Sequence, residues 1–457
     1  MIKTIINAFK IPEIRKKLFF TAFIILIFRI GSAIPVPFLA IDDAIDIGSK
    51  GNSIMNYLTL MTGSAFTYGT IFAMSITPYI NASIIMQLLA VAIPALEKLQ
   101  KEGEEGKKKI TTITRIVTVG LGILQSLAYF FYLRSGGYLL FSDGDITTAQ
   151  MVFQAAVIIC VLTAGTAVIM WLGEQITIDG IGNGISIILF AGIVSRFPVL
   201  IKQLFDYFTK GSEKYQLLYR ILVPVVIVAF LLMIAYIVLL DNAERRIPIQ
   251  YSKRVVGRKM YGGQNTHMPI KVNMSGVLPI IFASSILSLP GTVQMFISAS
   301  KYEGTGWEKF FDSFQSDSWV YAVLYFLLII FFAYFYSTIQ YNPIEMANNL
   351  RKNNGVIPGI RPGRPTSDYI FKILSRLTLI GALMISVVAL FPIVYSLVMK
   401  AVIPPDSTAS AGSIAAEGGM SISLGGTSLI ILVGVALETV RQLESQMMMR
   451  HYKGFLD

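Results

Sequence analysis

Between Gly51 and Leu96 the chain carries not one Asp, Glu, Lys or Arg, a run about twice the ~20 apolar residues that cross a bilayer as a helix. Apolar stretches recur near residues 18–36, 70–94, 113–133, 150–172, 181–200, 217–240, 273–299, 319–338, 374–399 and 422–440. Only 14% of the 457 residues are charged and 54% are hydrophobic, whereas soluble domains are about 25% charged. The chain therefore reads as an all-α polytopic membrane protein with ten transmembrane helices. The basic segment before the first stretch is similar to a signal peptide. That stretch is long, ends in IPVP (34–37) and is followed by further spans, so it reads as a retained first helix.

The uncharged run 51–96 is long enough for two crossings, and charge parity decides between one and two. Two would place the basic N-terminus and the basic loop near 97–115 on opposite sides, against the tendency of Lys and Arg to stay cytoplasmic. One crossing leaves MNYLTLMTGSAFTYG (55–69), whose small polar residues suit a short re-entrant helix enclosed by protein. With ten spans, segments 1–17, 95–115, 241–272, 339–376 and 441–457 share one face, and they hold 27 of the 38 Lys and Arg. Both termini are then cytoplasmic. Five spans fall in 1–215 and five in 216–457, and an odd number per half makes the halves inverted repeats, whose interface near the bilayer midplane suits a transport path.

Several chemistries are missing. GEEGKKK (103–109) and GIGNG (180–184) lack the spacing of nucleotide-binding loops, and the second reads as a close-packed or flexible helix start. His267 and His451 lie far apart, so no metal site is expected. The single cysteine, Cys160, excludes a disulfide scaffold and reads as a buried small hydrophobe. The spans are almost free of charge. Arg29 is the clear exception, expected to snorkel or pair, and Glu438 should reach the interface. In place of charge, neutral polar residues recur at helical spacing: Thr77 with Asn81, Ser83 with Gln87, Thr114, Thr118 and Gln125, and Ser284 with Ser288. They read as interhelical glue or as a seam that can open, and Pro78, Pro279 and Pro290 suggest kinked, movable spans.

The two long basic segments do not look disordered. IPIQY (247–251) and MPIKV (268–272) flank a basic tip as in a β-hairpin, and PGIRPG (358–363) makes a turn presenting Arg361. Arg245 and Arg246 read by default as topology determinants. Together the segments would form a docking surface for something acidic: ribosomal RNA, anionic lipid or an acidic protein.

With these strings in view the chain resembles the SecY family of bacterial protein-translocation channels. The resemblance rests on RIGSAIPVP (29–37), ITPYINASIIMQLL (76–89), GIGNGISIILFAGIV (180–194), the stretch 251–285, PGIRPG and GGTSLII (425–431). It implies a channel, not an enzyme and without cofactor, that passes unfolded signal-bearing preproteins across the cytoplasmic membrane and releases hydrophobic segments sideways into lipid. It further implies a plug at about 55–69 and a pore ring of Ile76, Ile80, Ile185, Leu189, Ile281 and Ile431. Leu189 stands where the family often has isoleucine and keeps the collar apolar. A lateral gate would lie between spans 2–3 and 7–8, with Ser83, Gln87, Thr118, Gln125, Ser284 and Ser288 along it. Lys253, Arg254, Arg258 and Arg361 would dock partners. The implied partners are the small subunits SecE and SecG, the SecA motor, the ribosome, preproteins and membrane lipids. An inverted-repeat solute transporter would explain the spans but neither the scarcity of intramembrane charge nor the two loops, and a membrane scaffold would not explain the polar seam.

Overall fold

The computed structural model describes residues 2–39, 65–140, 147–210, 216–251, 254–256, 259–261, 265–294, 306–315, 318–402 and 426–453. Helices dominate, as the long uncharged runs require. The first half comprises α1 (Ile2–Lys10), α2 (Pro12–Gly31), α3 (Thr77–Ala92), α4 (Pro94–Lys101), α5 (Glu104–Ser135), α6 (Thr148–Asp179), α7 (Gly184–Val194) and α8 (Phe197–Lys210). After α9 (Gln216–Asn242) come four strands, β1 (Glu244–Tyr251), β2 (Arg254–Val256), β3 (Lys259–Tyr261) and β4 (Asn265–Lys271). The chain continues through α10 (Leu278–Gln294), α11 (Gly306–Ser313), α12 (Trp319–Gln340), α13 (Pro343–Lys352), β5 (Gly355–Val356), α14 (Arg364–Val402) and α15 (Gly426–Lys453).

Every one of the ten apolar stretches contains helix. Among the described residues six helical stretches are long and apolar enough to cross a membrane, and Thr77–Ala92 with Pro94–Gln100, bent by 106°, makes a seventh. The bend falls at Pro94, which lacks an N–H to continue the helix, after Ile93 in extended backbone (φ −108°, ψ 112°). Starts are set by local chemistry. Thr147 and Gln150 form a capping box on α6, and the Asn183 and Asn342 side chains accept from the first amides of α7 and α13. Pro78 and Pro279 stand in the opening turns of α3 and α10, where a missing N–H costs nothing, so they start helices. Of the three expected to kink a span, only Pro290 stands inside a helix, as do Pro224 and Pro392.

Residues 65–76 depart from the helix that the apolar stretch suggested. They form consecutive turns, with Ser75 at φ 47°. Of the expected re-entrant segment 55–69, residues 55–64 lie outside the described residues, and 65–69 are turn. Cys160 also differs from expectation, being exposed on α6. It lies inside an apolar span, so the surface it shares is one that lipid can cover.

The hydrophobic core is divided. One cluster, including Val36, Phe66, Tyr129, Leu133, Ile158 and Leu162, lies within the first half. A larger one, including Ile237, Ile280, Phe282, Ile329, Phe332 and Leu429, lies mainly in the second. A third bridges the two and holds the candidate site. A fourth is outside the bundle, where β1 pairs antiparallel with β4 from Glu244↔Lys271 to Gln250↔Asn265 and with β5 at Tyr251↔Gly355. Ile247, Ile249 and Ile270 from that sheet pack on Leu350, Ile357 and Ile370. The expected hairpin is thus present, and the two basic segments form one folded unit with its own core.

Candidate functional site

All six residues expected at the ring lie in or against the bridging cluster. Ile76, Leu189 and Ile431 are buried within it, while Ile80, Ile185 and Ile281 are partly buried at its edge. They come from α3 and the turn before it, α7, α10 and α15, so both halves contribute. Ile80 and Ile281, together with Val277 and Leu432, also touch the large second-half cluster. That makes these four the hydrophobic seam between the halves. Val277 and Leu432 escaped the sequence reading because nothing in their spacing sets them apart from the aliphatic residues that follow or flank them. The remaining sign is Gly434 on α15, where an added Cβ would come within 2.8 Å of Val277 Cγ2.

The α6–α7 connection fixes Ile185 and Leu189. Gly184 packs so tightly that an added Cβ would stand 1.9 Å from the Gly173 carbonyl oxygen, and Gly182 needs φ +82°. The Gly184 amide donates to Thr177 Oγ1 at 3.0 Å, and the Ile181 amide donates to Thr21 Oγ1 on α2 at 3.2 Å. The GIGNG string is a packing device that sets α7 against α6 and α2.

The six polar residues expected along the gate sit on α3, α5 and α10, and α10 meets both α3 and α5 along a short seam. Thr118, Ser284 and Ser288 are buried, and Ser83, Gln87 and Gln125 are half-buried. Several of their hydrogen bonds run within single helices. Thr118 donates to the Thr114 carbonyl (2.7 Å), Ser284 to Ile281 (3.0 Å), Ser288 to Ser285 (2.7 Å), and Gln87 Nε2 to Ser83 Oγ (3.3 Å). A helix satisfies such groups on its own carbonyls.

Two ion pairs tie helices together. Arg115 on α5 holds Glu174 on α6 in a two-pronged pair, and Arg441 on α15 reaches Asp241 (3.0 Å) at the end of α9. Arg29 is exposed in the last turn of α2, where a cation complements the helix dipole, and Glu438 is exposed on α15. Arg361 is exposed in a turn flanked by Gly359 (φ +82°) and Gly363 (φ +109°), its carbonyl accepting from Thr366 Oγ1 at 2.8 Å. Arg254 begins β2, and Lys253 and Arg258 lie outside the described residues. Among the described residues no three His, Cys, Asp or Glu side chains gather as metal ligands.

The SecY family matches residues 70–440. A protein translocase subunit SecY of Mycobacterium bovis is 40% identical over 465 residues, covering 100% of both chains. Two solved structures share the fold at 16% identity. One, titled the structure of a protein conducting channel, has a TM-score of 0.56 and covers 94% of this chain and 92% of its own. The other, Sec61 in the canine ribosome-channel complex from the endoplasmic reticulum, has a TM-score of 0.53 with the same coverage.

Proposed function

The chain belongs to the SecY family and is a channel subunit of the protein translocase, not an enzyme; from that premise we propose that it conducts unfolded preproteins through the seam between its halves. The observation that carries this is the convergence of Ile76, Ile80, Ile185, Leu189, Ile281 and Ile431 in one cluster drawn from both halves. An aliphatic collar dewets when empty and so blocks ions, yet its side chains can mould around a passing chain of any sequence. Residues 1–215 and 216–457 act as inverted halves of five crossings each, with 55–69 as the plug on the external side. Ser83, Gln87, Thr118, Gln125, Ser284 and Ser288 border the lateral exit through which hydrophobic segments reach lipid. Their placement on α3, α5 and α10, which meet along a short seam, supports that role.

The protein is a multi-span membrane component, which we place in the bacterial cytoplasmic membrane with both termini cytoplasmic. The folded unit built from 241–272 and 339–376 then faces the cytoplasm. There Lys253, Arg254, Arg258 and Arg361 dock the SecA motor or the ribosome, and SecE and SecG complete the channel. The ribosome-bound Sec61 structure supports a ribosome-docking role for this fold. Family membership weighs against a solute transporter. Reconstitution into proteoliposomes with SecE, SecG and SecA tests the function: a presecretory protein should become protease-protected on ATP addition, while a panel of small solutes stays excluded. Solute uptake without preprotein protection would overturn it.

A further inference from the structure

Residues 65–76 are irregular backbone lying within an otherwise apolar, uncharged stretch, where unpaired amides and carbonyls are costly. Their polar groups are met by two kinds of partner. Local turns pair the Thr70 amide with the Ala65 carbonyl (3.1 Å) and the Ser75 amide with the Phe72 carbonyl (2.9 Å). The segment after α2 supplies others: the Val36 amide donates to the Gly69 carbonyl (2.9 Å), and the Ile71 amide donates to the Ile34 carbonyl (2.9 Å).

Three helices close around this run. Gly31 at the end of α2 and Gly165 on α6 approach it so closely that an added Cβ would lie 2.1 Å from the Phe72 ring and 2.2 Å from the Ile71 carbonyl oxygen, respectively. From α5, Tyr129 donates its hydroxyl to the Phe66 carbonyl at 2.8 Å, with the two rings 4.6 Å apart. Both side chains are essentially fully buried. The run ends at Ile76, and the Ile76 carbonyl accepts from the Ile80 amide at 3.0 Å. Two of the six collar residues are thus placed by backbone that has no helix of its own to hold it.

We propose that Tyr129 is a positioning residue for the apolar seal: its hydroxyl, donated to the Phe66 carbonyl, pins the run 65–76 and with it the start of α3 that carries Ile76 and Ile80. The α2 and α6 contacts are steric and act by close approach. The Tyr129 contact is directional, so it selects one position of the run along its length. The inference rests on the collar acting as the seal.

The test uses Tyr129→Phe, which keeps the ring and deletes the hydroxyl, in the full complex with its small subunits. Ile158→Val, in the same fully buried cluster, loses a methyl group and leaves the hydroxyl bond intact, serving as a stability-matched control. Loss of one buried hydrogen bond should raise local opening by roughly three- to ten-fold. Amide exchange in 65–76 and resting ion leak in planar bilayers should both rise by about that factor in Tyr129→Phe and not in Ile158→Val. A tight, fully protected Tyr129→Phe channel would overturn the inference, as would an equal leak from Ile158→Val. The triple variant Ile80→Asn, Ile281→Asn, Ile431→Asn separates the layers. If it leaks while Tyr129→Phe stays tight, only the positioning role falls; if it too stays tight, the collar itself is not the seal and the inference falls with it.

Discussion

Tyr251 and Gly355 are register partners in antiparallel β1 and β5, and this pair joins into one sheet the two loops that precede α10 and follow α12 in the chain. A Cβ at position 355 would stand 3.1 Å from Tyr251 Cε1, 3.2 Å from Ile249 Cγ2 and 3.3 Å from Leu350 Cδ2. Gly355→Val should therefore strain the joint by about 1–3 kcal/mol. Thermal unfolding should show an earlier loss of the extramembrane unit with bundle helicity unchanged, and motor-dependent transport should fall. Gly355→Ala should lie between Val and wild type.

The Arg115–Glu174 pair has Nε to Oε1 at 2.8 Å and Nη2 to Oε2 at 2.7 Å, with the side chains 48% and 18% exposed. Exposure discounts its strength, and the two-pronged geometry restores part of it. A double-mutant cycle of Arg115→Ala and Glu174→Ala, read by unfolding in detergent, should give a coupling of about 1 kcal/mol. Arg115→Lys should recover less than half of that coupling, because an ammonium cannot engage both oxygens at once.

Arg361 sits on a turn outside the bundle, so Arg361→Glu should leave insertion and folding unchanged. Binding of the motor or of a translating ribosome should weaken by roughly ten-fold or more, from loss of a charge-assisted contact worth about 1.5–3 kcal/mol. The difference should narrow as salt rises. Arg245→Glu on exposed β1 tests for a general charge effect and should change affinity far less. Equal loss in both variants would assign the loop's charge to topology alone.

Topology is open to direct labelling. Gln250 and Asn353 are exposed on the extramembrane unit. Single cysteines at these positions, in a chain with Cys160 replaced, should react with an impermeant thiol reagent only from the cytoplasmic side. Cys160 itself should resist that reagent from either face, since its exposed flank lies among apolar α6 residues.

Much of the bundle was legible because uncharged runs of this length admit few other structures. The hairpin was legible too, since IPIQY and MPIKV alternate and face a basic tip. The run 65–76 was not: it belongs to the same uncharged stretch as the helix that follows, and the residues that pack against it, Gly31, Gly165 and Tyr129, are distant in sequence. β5 was missed because two residues carry no periodic signal. The polar groups of the gate helices were legible from their helical spacing, and several of them return to their own preceding carbonyls. The ring is a different case. Around Ile80 and Ile281 aliphatic residues recur on several faces of α3 and α10, so spacing alone could not single these two out from their neighbours. Those residues were reached through the family resemblance, and the structure adds that they gather in one cluster.

The central claim is that a translocating chain passes through this collar, and site-specific photocrosslinking addresses it most directly. A photoreactive residue at position 80, 281 or 431 should form adducts with a preprotein arrested in mid-transit, and the same probe at Leu231, exposed on α9, should not. Absence of adducts from all three collar positions while the substrate is demonstrably arrested, or equal adducts from position 231, would contradict the account.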